Sequence, residues 1–107
     1  MRLILAIINH DDAHSVIQHL THGGFHVTKL ATTGGFLQVG NVTILIGVDD
    51  NRLDSAMDII GKYSNSRRQV IPSTNEMGMG MYSSMPVEVT VGGATAFVIK
   101  VEEFKKF

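Results

Sequence analysis

Six consecutive apolar residues open the chain, Leu3 to Ile8, and the polar run Asn9-His10-Asp11-Asp12 stops them at once. An isoleucine-rich run of this length, bounded by polar residues, reads as a strand covered on both faces. It is too short for the apolar centre of a secretory leader and far too short to span a bilayer. The chain is therefore expected to be cytoplasmic, with no membrane insertion. A strand without a wet face needs other layers to cover it. A length of 107 residues allows one core to do so, hence a single domain over 1–107.

The remaining elements follow from periodicity. Asp11 or Asp12 is placed to cap a helix whose Ala13, Val16, Ile17 and Leu20 fall on one face, with Gly23-Gly24 as its left-handed stop. Alternation from Phe25 to Ala31 predicts a second strand, and Val42 to Val48 a third. Asp50 or Asn51 starts a second helix with Leu53, Ala56, Met57 and Ile60 inward and Gly61 near its end. Val87 to Val91 alternates cleanly, Gly92-Gly93 reads as a tight hairpin turn, and Ala94 to Val101 returns. Two linkers stand out. One is the glycine-bearing 32–41; the other is 64–86, which holds both prolines and a methionine-rich stretch, with Arg68 to Ile71 expected as a brief edge strand. Irregular segments as long as the second are usually functional or disordered.

The order is β-α-β-β-α-β with an extra C-terminal strand, which predicts an α+β, ferredoxin-like sandwich of one antiparallel sheet and two helices on one face. The other face of that sheet also needs cover. With 44% apolar and 18% charged residues, self-association is the expected solution.

Composition narrows the chemistry. A net charge of −1 provides no field to gather nucleic acid or an anionic membrane. Without cysteine there is no disulfide, thiol nucleophile or thiolate metal site. His10 and His14 are four apart and His19 and His22 three apart, but no acidic residue completes a metal motif, and His14, His19 and His22 avoid the apolar positions and are expected to face solvent. No metal or cofactor is expected. Asp11-Asp12 and Asp49-Asp50 sit where helix caps belong, and no Gly-x-Ser-x-Gly elbow occurs, so the chain reads as a non-enzyme. The more informative feature is Thr32-Thr33-Gly34-Gly35. Unobstructed backbone N–H groups there can reach an anion or a base edge, and Phe36-Leu37 follow at once. Phe36 either stacks on a purine or folds back onto its own sheet.

The run Val27-Thr28-Lys29-Leu30-Ala31-Thr32-Thr33-Gly34-Gly35-Phe36-Leu37, then Gly40-Asn41 and Ile46-Gly47-Val48, closely resembles the PII-like cyclic di-AMP receptors. So do Pro86-Val87-Glu88-Val89 and Val91-Gly92-Gly93-Ala94-Thr95-Ala96-Phe97-Val98, with the closing Glu103-Phe104 and Phe107. The resemblance spans essentially the whole chain. It implies a bacterial PII-like homotrimer with cyclic di-AMP held at its interfaces, bordered by the two linkers. Carried over by position, it makes Thr28, Gly35, Phe36, Leu37, Asn41, Gly47 and Phe97 ligand-binding residues. Asn41 would offer a donor and an acceptor to an adenine edge, Thr28 a hydroxyl, and Phe36 and Phe97 apolar faces.

Three positions depart from the family pattern. His26 stands where an arginine is common, which exchanges a bidentate guanidinium for an imidazole. Lys105-Lys106 replaces a His-Gln pair and brings Lys106 toward the ligand as a mobile charge. The long linker is shorter and carries Glu76-Met77-Gly78-Met79. The expected function is a non-catalytic sensor of cyclic di-AMP, or a related adenine nucleotide, that relays its level to a partner protein. The alternative is a trimeric protein-interaction module that has lost or changed its nucleotide ligand.

Overall fold

A computed structural model of the chain describes residues 1–30, 40–65, 67–71 and 87–107, the strands at 67–71 and 87–91 by their backbone. The opening apolar run becomes β1 (Arg2–Asn9), followed by α1 (His10–His22), β2 (Val27–Leu30) and β3 (Asn41–Val48). A single 3-10 turn (Asp50–Arg52) leads into α2 (Leu53–Tyr63), and three strands follow: β4 (Arg67–Ile71), β5 (Val87–Val91) and β6 (Ala94–Lys100). The main sheet has four strands in the order β2-β3-β1-β6, each pair antiparallel. Both helices pack on one side of it, as the α+β pattern predicts.

Every second residue of the two central strands is buried against those helices. Ile4, Ala6 and Ile8 of β1 and Val42, Ile44, Ile46 and Val48 of β3 meet Val16 and Leu20 of α1 and Ala56 and Ile60 of α2. The intervening residues of β1, Leu3, Leu5 and Ile7, are only half-buried. The burial expected of β1 is therefore met by the helices on one side, while among the described residues no second layer packs on the other.

Local chemistry explains where α1 begins and ends. Its cap is Asn9, not Asp11 or Asp12: the Asn9 side chain accepts the Asp11 N–H at 2.9 Å, so His10 and both aspartates lie in the first turn. The chain leaves β1 directly into the helix, which puts the last strand residue at the capping position. At the far end the Gly24 N–H donates to the Thr21 carbonyl and the Phe25 N–H to the Leu20 carbonyl. This is a Schellman closure, with Gly24 at φ +86 in the left-handed region and Leu20 and Phe25 buried beneath it. Using Phe25 there shortens the expected second strand to Val27–Leu30, as far as the described residues extend.

Two further expectations are corrected. Gly92-Gly93 does not make a hairpin: β6 pairs with β1, while β5 pairs with β4 in a separate two-stranded ribbon. Both glycines have positive φ, and the Gly93 carbonyl accepts the Asn9 N–H at 3.4 Å, which starts β6 along β1 instead of beside β5. The strands outside the four-stranded sheet are thus β4 and β5, not the C-terminal one. The expected edge strand at Arg68 to Ile71 is one arm of that ribbon, so linker 64–86 is partly regular; residues 66 and 72–86 lie outside the described residues, as do 32–39 of the other linker. The second helix is also preceded by a 3-10 turn, and Asp49, in its capping position, makes no side-chain cap bond.

His19 departs from the solvent-facing role expected of it. Its ring stacks on Tyr63 of α2 with centroids 3.6 Å apart, and Nδ1 lies 2.7 Å from the Ser15 carbonyl oxygen. It helps join the two helices. His14 and His22 are exposed.

Candidate ligand face

Strand register decides which candidate residues share a surface. Thr28 pairs with Leu45, Leu45 with Leu5, and Leu5 with Phe97. Side chains alternate across a strand, and Leu5 and Leu45 lie on the side away from the helices. This row therefore crosses the open face from one edge of the sheet to the other. Asn41, Thr43 and Gly47 of β3 occupy the same face by alternation with the buried Val42, Ile44, Ile46 and Val48. Ile99 joins them opposite Leu3, and Leu30 opposite Thr43. Phe97 is 52% exposed and Ile99 44%, so this edge of the surface is exposed, as is Leu30 at the other, while its middle is half-buried.

Four of the residues carried over from the resemblance, Thr28, Asn41, Gly47 and Phe97, thus lie on one face. They do not converge. Thr28 and Phe97 are three strand spacings apart, about 14 Å. Asn41 and Gly47 stand six residues apart on β3, about 20 Å. Aromatic contacts work over about 4.5–7 Å between centroids. A single purine stacked on Phe97 does not reach Thr28 of the same chain. Gly35, Phe36 and Leu37 lie outside the described residues. Lys106 is exposed in the segment after β6, where its neighbour Lys105 pairs with Glu103 at 2.9 Å.

His26 and Gly47 do come together, in a recess of ≈ 150 Å³ where the start of β2 meets the end of β3. Sequence reasoning missed a third member of that recess, Arg52 in the 3-10 turn. Its guanidinium carbon sits 4.1 Å from the centroid of the Phe25 ring, and Nη2 donates to the Gly23 carbonyl at 2.6 Å. Those partners come from the end of α1, and Gly23 and Arg52 are 29 positions apart in the chain, so no local spacing signals the contact.

The charges around the recess are sorted by ion pairing. Asp50 Oδ1 lies 3.2 Å from the Met1 amino group and 3.5 Å from Arg2 Nε. The hydrogen bond and charge of that amino group, with Arg2 adding to them, hold the Asp50 carboxyl below its ordinary range. Asp50 is thus committed to Met1 and Arg2.

The face offers donors, acceptors and apolar surface rather than reacting groups. Among the described residues no three His, Asp or Glu side chains form a group able to hold a metal ion, and no helix is long and apolar enough to cross a membrane. Thr43 is 4% exposed, and its hydroxyl has no hydrogen-bond partner among the described residues.

Comparison with known proteins adds two findings. A family model described as cyclic-di-AMP receptor matches residues 1–107. Among solved structures, the crystal structure of a functionally unknown protein from Pediococcus pentosaceus ATCC 25745 is similar at 35% sequence identity and a TM-score of 0.78; the match covers 99% of this chain and 96% of that one.

Proposed function

The chain belongs to the cyclic-di-AMP receptor family, and from that premise we propose that it is a non-catalytic, cytoplasmic signalling protein, a single PII-like domain over residues 1–107. Three copies assemble, bind cyclic di-AMP between them, and pass its level to a partner protein. Thr28, Gly35, Phe36, Leu37, Asn41, Gly47 and Phe97 line the ligand, with His26 and Lys106 toward its phosphates.

The observation that carries this reading is the row Thr28–Leu45–Leu5–Phe97. Its ends are too far apart to grip one base, and its middle is apolar and only half-buried. An interface between copies answers both points: a second subunit covers the leucines and brings its own edge of the sheet toward the first. The ligand then lies where two copies meet, so its binding and their packing are coupled, as a signal relay requires.

Isothermal titration with cyclic di-AMP up to about 100 μM tests the reading, since a micromolar site saturates in that range. Saturable heat with one ligand per interface supports it, and a flat titration counts against it. His26 motivates a second reading, a trimeric interaction module without this nucleotide. A flat titration from a protein that sediments as a trimer would favour that module.

A further inference from the structure

The recess shared by His26, Gly47 and Arg52 has the properties of a small anion site. Arg52 is exposed, yet its guanidinium is held twice, over the Phe25 ring with its carbon 4.1 Å from the centroid and by its bond to the Gly23 carbonyl. That carbonyl takes one N–H of the five a guanidinium carries. Among the described residues no ion pair joins Arg52 to a carboxylate, and the neighbouring Asp50 pairs with Met1 and Arg2. An arginine held in place before its ligand arrives loses less side-chain freedom on binding, and its planar fork matches the oxygens of a phosphate.

The surroundings leave room for such a group. A Cβ at Gly47 would meet nothing within 4 Å. One at Gly24 would stand 3.8 Å from both terminal nitrogens of Arg52. The lack of a side chain at Gly24 keeps that side of the guanidinium clear, and His26, which carries an imidazole donor, lines the same recess. At ≈ 150 Å³ the recess is smaller than the ~300–1,000 Å³ typical of sites for whole ligands. It fits one charged substituent of a larger molecule whose remainder lies on the open face, which it adjoins at Gly47. Asp49 also lines the recess and opposes an anion there.

We infer that Arg52 is a ligand-binding residue whose guanidinium, preset by Phe25 and Gly23, takes a phosphate oxygen of the bound nucleotide in the recess it shares with His26 and Gly47. This rests on the receptor reading above and extends it to a residue of the 3-10 turn. Arg52→Gln then weakens cyclic di-AMP binding roughly tenfold to a hundredfold, the effect of losing a charged hydrogen bond. Arg52→Lys recovers little of it, because a lysine offers neither the fork nor the stacking plane. Asp49→Asn tightens binding.

The experiment pairs titration of cyclic di-AMP into the wild type and these variants with an NMR titration of inorganic phosphate, followed at Arg52 Nε–H against chloride at equal ionic strength. If the wild type binds the nucleotide and Arg52→Gln binds it equally well, the role of Arg52 is overturned while the receptor reading stands. If phosphate moves the Arg52 resonance but the nucleotide does not bind, the anion site stands and the receptor reading falls. If neither probe binds, both fall. Melting temperatures of the unliganded variants separate lost binding from lost folding.

Discussion

Thr28 and Phe97 stand at opposite ends of one row of side chains across the open face of the sheet, linked through Leu45 and Leu5. The row is about 14 Å long. One purine therefore meets both residues only if they come from different copies.

Mixing two inactive variants tests this directly. Thr28→Ala and Phe97→Ala should each weaken cyclic di-AMP binding. Co-refolded in equal amounts, they should regain about a quarter of the native sites, because one interface in four then joins an intact Thr28 to an intact Phe97. Titration stoichiometry measures the fraction. If each site were built within one chain, every site in the mixture would carry a lesion and none would recover.

The middle of the same row predicts the state of assembly. Leu5→Glu places a carboxylate between Leu45 and Phe97 on the half-buried face. A charge cannot be buried there without a partner, so this variant should sediment as single subunits. An unchanged sedimentation coefficient would show that the face is wet in the native protein.

His26 shares its recess with Arg52, and the geometry favours more positive charge there. His26→Arg should tighten cyclic di-AMP binding several-fold through a second bidentate donor. Titration at fixed salt checks it; weaker binding would mean that the phosphates lie elsewhere.

Gly24 closes α1 at φ +86. Gly24→Ala should destabilise the protein by about 1–2 kcal/mol, the cost of a left-handed backbone for a residue with a Cβ. Denaturant unfolding at constant protein concentration measures it, and a change near zero would indicate another ending for the helix.

Thr43 places a buried hydroxyl on the side of the sheet away from the helices, opposite Ile7 and Leu30, with no hydrogen-bond partner among the described residues. Thr43→Val keeps the shape and removes an unsatisfied group, so unfolding free energy should rise by about 1 kcal/mol. A fall would mean that a neighbouring copy or the ligand provides the missing partner.

Much of this was legible along the chain, because the signals are local. The apolar run at Leu3 to Ile8, the spacing of Ala13, Val16 and Leu20, and Gly23-Gly24 each depend on residues within a few positions, where backbone stereochemistry and alternation act. They determined the strands, the helices and the helix stop. Alternation within β3 likewise places Asn41 and Gly47 on one side of the sheet once Ile44 and Ile46 are buried. Pairing between distant segments was decided only in the tertiary structure. Val87 to Val91 has the pattern of a hairpin arm with Ala94 to Lys100, yet it joins Arg67 to Ile71, because pattern specifies a strand and not its neighbour. Arg52 resembles any surface cation until the end of α1 brings Phe25 and Gly23 beneath it. A contact across 29 residues exists only after the sheet has set the distance between its parts.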